Sequence, residues 1–179
     1  MNTENTNTAE IVRQNPEPPA FALYHPSGRG NGCAVQLRLV PATADRDGAA
    51  YLTTARQLTV ANPADPAARF ASFDWANKST VKLTPLELAE ILMVFGGQAP
   101  SLVHAGKDGL YHSTPAATTS VALKRSEDPV RPGFLLGVGR TPKADPNARQ
   151  YHAFTFTPSE ACLLRFALSA KMGALCFGE

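Results

Sequence analysis

The sequence predicts an α+β chain built as two repeats, each a four-stranded antiparallel sheet followed by a helix. Two phrases carry that expectation: Val81-Lys82-Leu83-Thr84-Pro85-Leu86-Glu87 and Phe154-Thr155-Phe156-Thr157-Pro158-Ser159-Glu160. In each, apolar residues at alternate positions turn one face of a strand toward a core. Thr84 and Thr157 then stand where an N-cap belongs, Pro85 and Pro158 take the first helical position, and Glu87 and Glu160 fall three residues after the cap to complete a capping box. The third observation is spacing: the two caps lie 73 residues apart, which divides the chain at about 21–97 and 98–179.

The elements follow in order. Residues 1–18 are polar, rich in Asn and Thr and end in a proline run, so they read as a disordered tail ahead of a single domain over 19–179. After Phe21-Ala22-Leu23-Tyr24 and the loop His25 to Gly32, the alternation of Val35, Leu37 and Leu39 with Gln36 and Arg38 predicts a strand over 33–39. Further strands are predicted over 51–59, 69–75 and 78–83, the last two joined by a tight hairpin at Ala76-Asn77 after Pro63 and Pro66 break the chain. A helix from Pro85 to Phe95 ends at Gly96-Gly97. The second half predicts strands over 102–104, 119–125, 133–140 and 150–156, then a helix from Pro158 to Leu175. Both helices are apolar nearly all round, which predicts that they are covered on more than one side and that the chain is a homo-oligomer.

Composition narrows the function classes. The 179 residues are 44% hydrophobic, enough for a real core. The three cysteines (Cys33, Cys162, Cys176) form no disulfide framework or paired-cysteine metal motif, so a reducing cytoplasm is expected. No apolar run reaches the roughly 18 residues of a membrane span, and signal- or transit-peptide character is lacking, pointing to a bacterial or phage setting. The net charge is +2; without Glu4, Glu10, Glu17 and Arg13 of the tail it becomes 16 basic against 12 acidic residues, or +4. That excess permits an anionic partner without demanding one.

Enzyme chemistry finds little to stand on. His25, His104, His112 and His152 have no partner at metal-ligand spacing, and no cofactor or metal is expected. The loop Gly28-Arg29-Gly30-Asn31-Gly32 precedes a strand instead of opening a helix and lacks the Lys-Ser/Thr ending of a phosphate-binding loop. Gly133, Gly137 and Gly139 fit no dinucleotide fingerprint and read as strand bends. What remains is the sheet face away from the core. Parity set by Val81 and Leu83 puts Lys78 and Lys82 on that face of one strand, Gln36 and Arg38 on another, and Lys124 and Tyr151 in the second half. Phe73 and Trp75 share one face, and Tyr24 and Arg29 complete the candidate binding residues. Basic and aromatic side chains interleaved on an open sheet suit single-stranded nucleic acid, cations tracking phosphates and rings stacking on bases.

Several phrases give the chain a family resemblance. Phe73-Asp74-Trp75-Ala76-Asn77-Lys78 leading into Val81-Lys82-Leu83-Thr84, Gly133-Phe134-Leu135-Leu136, and Phe154-Thr155-Phe156-Thr157 before an apolar helix resemble the Whirly family of single-stranded-DNA-binding proteins, similar in fold to the mitochondrial guide-RNA-binding proteins. The resemblance covers roughly Tyr24 to Phe177. It implies a Whirly-like fold, a tetramer held by helix packing, and single-stranded DNA along the sheets. Arg38, Lys78, Lys82 and Lys124 would meet phosphates, while Trp75, Tyr151 and Phe73 or Tyr24 would stack on bases. The chain departs from the plant proteins where they carry a Lys-Gly-Lys-Ala-Ala type motif: Gly28-Arg29-Gly30-Asn31-Gly32-Cys33-Ala34 has one arginine for the lysine pair. RNA binding or strand annealing, and a protein-interaction module, are the competing readings.

Overall fold

The computed structural model describes residues 20–178; the tail expected over 1–18 lies outside them. The first repeat contains β1 (Phe21–His25), β2 (Cys33–Val40), β3 (Ala49–Thr59), a two-residue β4 (Ser72–Phe73), β5 (Ser79–Leu83) and α1 (Pro85–Phe95). The second begins with a small ribbon, β6 (Val103–His104) and β7 (Lys107–Asp108). It continues with β8 (Leu110–Ser113), β9 (Ala117–Arg125), β10 (Phe134–Pro142), β11 (Gln150–Phe156), α2 (Pro158–Ser169) and α3 (Met172–Phe177).

Each repeat is an antiparallel meander closed by a helix. In the first sheet β1 pairs β2 and β2 pairs β3, while β4 and β5 share the far edge of β3; the second runs β8-β9-β10-β11. Both capping boxes form as the sequence predicts: Thr84 accepts from the Glu87 amide and Thr157 from the Glu160 amide, and each Glu side chain reaches back to its cap. Gly97, at φ 73°, reverses the chain after α1 at no cost in Cβ strain.

The structure corrects three expected elements. The edge strand of the first sheet is β1, and the strand expected over 69–75 shrinks to Ser72–Phe73: its pairing with β3 shifts register between Gln57 and Thr59, and the Trp75 amide turns back onto the Phe73 carbonyl at 3.0 Å instead of continuing the ladder. In the second sheet the first strand is 110–113; the segment expected over 102–104 belongs to the ribbon with Lys107–Asp108. The last helix breaks at Ala170-Lys171, and α3 turns back so that the Ala42 amide donates to the Ala174 carbonyl at 2.9 Å.

One core spans both repeats. Val35, Leu37, Leu52, Val81 and Leu83 from the first sheet meet Val121, Leu123, Leu136, Phe154 and Phe156 from the second, with Leu88, Ile91, Leu164 and Leu168 of the helices between them. Phe95 stands edge-on to Phe134 and Phe156, with ring centroids 5.2 and 5.3 Å away.

Two histidines lock the repeats together reciprocally. His25, ending β1 of the first repeat, bonds Glu160 of α2 at 2.7 Å; His112, in β8 of the second, bonds Glu87 of α1 at 2.6 Å. Each glutamate divides its labour: Oε2 completes its own capping box and Oε1 takes the histidine of the other repeat. Burial pushes both carboxyls up, but the cap and histidine hydrogen bonds outweigh it and hold them below the usual range.

Candidate nucleic-acid interface

Strand register sorts the face away from the core into cross-strand rows. On the first sheet, Tyr24 lies opposite Ala34 and Ala34 opposite Ala55, with Lys78 one step beyond the Thr54–Ser79 pair. The next row is Ala22, Gln36, Thr53 and Thr80, with the two threonine hydroxyls 3.0 Å apart. The third is Arg38, Tyr51 and Lys82. The Arg38 guanidinium stacks over the Tyr51 ring at 5.0 Å, which pre-orients a flexible cation on the surface.

The first row carries an aromatic trio. Tyr24 sits 5.4 Å from Phe73 and 6.4 Å from Trp75, and this roof leaves Ala34 and Ala55 fully buried although they lie outside the main core. Phe73 and Trp75 are therefore half-buried supports, and Tyr24 is the ring that meets solvent. Seven of the residues proposed from sequence (Tyr24, Gln36, Arg38, Phe73, Trp75, Lys78 and Lys82) come together on this face. Arg29 does not: it sits in the loop between β1 and β2, its amide bonded to the Ser27 hydroxyl at 3.2 Å.

The second sheet repeats the pattern with different side chains. Its corresponding row is Tyr111, Ser120, Gly139 and Tyr151, and another is Lys124, Leu135 and Thr155. The Tyr151 ring lies across Gly137, where an added Cβ would stand 2.3 Å from the phenolic oxygen; only glycine lets the ring lie this flat on the sheet. Tyr24, Tyr111 and Tyr151 are 52%, 61% and 49% exposed. Sequence reasoning missed Tyr111 and Tyr51. The signal for Tyr111 was present: Leu23-Tyr24-His25 recurs as Leu110-Tyr111-His112, 87 residues on.

Charge is unevenly satisfied. The ion pairs recorded among the described residues join histidine to glutamate, while Arg38, Lys78, Lys82 and Lys124 have no carboxylate within 4 Å. The glutamates at the two helix caps and on α1 are taken by histidines, and no ion pair among the described residues neutralises these outer-face cations. The fourth histidine, His152, is 4% exposed and meets the Thr54 hydroxyl through Nδ1 at 2.8 Å; burial, then the nearby Arg56 charge, lowers its pKa. Burial likewise pushes the Cys33 thiol up to about 11, so it is inert as a nucleophile at neutral pH. No group of three or more His, Cys, Asp or Glu side chains among the described residues is placed to hold a metal ion.

No protein-family model matches the sequence, and no curated protein matches it. Solved structures do. WHY3 from Arabidopsis thaliana is 14% identical over 88% of both chains with a TM-score of 0.63. WHY1 from the same plant is 16% identical, covering 90% of this chain and 89% of its own, with a TM-score of 0.59. Trypanosome MRP1/MRP2 is 17% identical, covering 90% of this chain and 95% of its own, at 0.57. The chain has the two-repeat α+β fold of the Whirly proteins, shared with the trypanosome guide-RNA-binding proteins.

Proposed function

We propose that the chain is a non-enzymatic protein that binds single-stranded DNA across the outer faces of its two sheets, with little sequence preference. The carrying observation is the interleaving of unneutralised cations with aromatic rings on the outer faces: Lys78 in one row with exposed Tyr24 and Arg38 and Lys82 in one row with half-buried Tyr51 on the first sheet, and Lys124 on the same face as exposed Tyr111 and Tyr151 on the second. Cations meet the backbone whatever its sequence, and every base offers a face to a ring. The fold likeness to Whirly proteins supports the same reading. Exposed Leu86 and Met93 on α1 and Leu163 and Phe166 on α2 support contact between copies, and we read the assembly as a tetramer.

Anisotropy titrations with an unstructured oligonucleotide test this. Affinity falls steeply with salt, and Lys82→Ala lowers the slope of log K against log salt by about 0.7, the share of one single-strand phosphate contact. Tyr111→Ala loses about 1–3 kcal/mol if its ring stacks on a base. Equal affinity for duplex, or no binding at low salt, overturns the reading; tighter binding of a matched RNA oligomer moves it to RNA. Light scattering gives the subunit count.

A further inference from the structure

The glycine-rich loop is the sequence motif that the outer faces leave unused, and it breaks the likeness between repeats. Residues 26–32 join β1 to β2, whereas residues 114–116 suffice to join the corresponding β8 to β9. The longer loop does not stand free. Gln57 ties it down: its Oε1 accepts from the amides of Ser27 at 2.7 Å and Gly32 at 3.1 Å, and its Nε2 donates to the Ser27 carbonyl at 3.0 Å. Held this way, the loop and strand β11 enclose a cleft of about 430 Å³ lined by Gly30, Asn31, Gly32, Arg56, Tyr151 and His152 among others.

The cleft is furnished for an anion. Arg56 donates from Nε and Nη2 to the Tyr151 carbonyl at 3.2 and 2.7 Å, which fixes its guanidinium at the free edge of β11 and leaves its other N–H groups unused. It has no carboxylate within 4 Å among the described residues. The nearby acid, Asp74, lines an adjoining hollow that shares Arg56 and His152 with the cleft, and its oxygens accept from the Asn77 amide and side chain at 3.1 and 2.9 Å. His152, more than nine-tenths buried, spends Nδ1 on the Thr54 hydroxyl and lines both hollows. The Asn31 amide is unpartnered among the described residues. A fixed guanidinium, a ring nitrogen and a glycine-loop amide are groups that recognise phosphate. The volume falls in the range of small-ligand pockets and exceeds what phosphate alone fills.

We propose that this cleft binds a phosphomonoester carried by a nucleotide, presented by the end of a strand or by a free mononucleotide. A terminal phosphate approaches two negative charges, where an internal diester has one, so a preorganised cation favours the end. The sugar and base take the remaining space beside Tyr151 and Ala153. The strand-end source rests on the nucleic-acid reading above; the mononucleotide source does not.

The test compares oligonucleotides of one sequence bearing a 5′-phosphate, a 3′-phosphate or hydroxyl ends only, alongside calorimetry with a nucleoside monophosphate. One phosphorylated end is expected to bind about tenfold tighter than the hydroxyl-ended strand, equivalent to about 1.4 kcal/mol. Arg56→Gln abolishes that preference and leaves hydroxyl-ended affinity within about twofold, since Arg56 lies off the outer faces. Because Arg56 also holds β11, a second variant guards against misfolding: Asn31→Asp, on the exposed loop, puts a negative charge in the cleft without touching the Arg56–Tyr151 bond and abolishes the preference equally. Mononucleotide binding that both variants abolish, with no oligonucleotide binding, keeps the cleft as a free-nucleotide site and removes the strand reading. Intact oligonucleotide binding with no preference for either phosphorylated end and no mononucleotide binding overturns the proposal.

Discussion

The two repeats agree where they face inward and differ where they face outward. Thr84 and Thr157 cap, Leu83 and Phe156 plug the core, and His25 and His112 each grip the other repeat's capping glutamate. On the outside, the first repeat roofs Ala34 and Ala55 with an aromatic trio and displays Arg38 and Lys82. The second instead clears its centre with Gly137 and Gly139 and lays Tyr151 across the gap. The difference teaches which positions the fold constrains: cap, plug and latch are fixed by packing, while outer rows are free to specialise.

The sharpest way to break the comparison is to open the core in each repeat separately. Leu83→Ala is expected to cost about 2–5 kcal/mol and Phe156→Ala about 3–5. Trp75 reports on the first repeat alone, while far-UV circular dichroism reports on both. With one shared core the two probes melt together in either variant; a Phe156→Ala protein that loses ellipticity while Trp75 stays native would make the repeats independent.

A smaller effect separates the equivalent positions His152 and Ser79, each five residues before its cap. His152→Ala strands the buried Thr54 hydroxyl and is expected to cost about 1–3 kcal/mol by chemical denaturation. It also changes the pH profile. The folded pKa of His152 lies below its ordinary 6.5, so its contribution is complete above pH 6.5 and declines as pH falls toward the folded value; the variant should lose that limb.

The capping glutamates come next. Glu87→Gln and Glu160→Gln are each expected to cost about 1 kcal/mol at neutral pH, with Glu87 the larger because its side chain is 7% exposed against 21%. Both folded carboxyls titrate below the ordinary 4.5, so their stabilisation is complete above that pH and fades as pH falls through the folded values. Acid unfolding of the double variant should be shallower below pH 4.5; an unchanged slope would mean the latches carry no charge-assisted strength. The smallest effect is Ser79→Ala. The Ser79 hydroxyl is buried without a partner among the described residues, so its removal should be neutral or raise the melting temperature slightly.

Legibility followed the range of the interaction. Capping boxes and the closing strands 79–83 and 150–156 were readable because each rests on neighbours within a few residues. The edge strands β1 and β8 were harder, since strands this short are defined by the partner they lie against. The expected strand at 69–75 failed for a related reason: Phe73 and Trp75 alternate like strand residues, but a bulge opposite Gln57 and Thr59 and the turn of the Trp75 amide onto the Phe73 carbonyl end the pairing. For the site, parity placed Arg38, Lys78, Lys82, Lys124 and Tyr151 on outer faces correctly. The contact of Arg56 with the Tyr151 carbonyl spans 95 residues and depends on how two sheets meet, which neither strand's pattern encodes.

The reciprocal latches also set a timetable. The bond between His25 and Glu160 spans 135 residues, and that between His112 and Glu87 spans 25. During synthesis the first helix can grow its own cap but meets its histidine only once the second sheet has begun. His25, made early, waits for almost the whole chain. Contacts of such long range are slow to form, and the unlatched first repeat leaves apolar surface open meanwhile. Delivery of α2, carrying Glu160, is therefore expected to be the slow contact that closes the two repeats on each other.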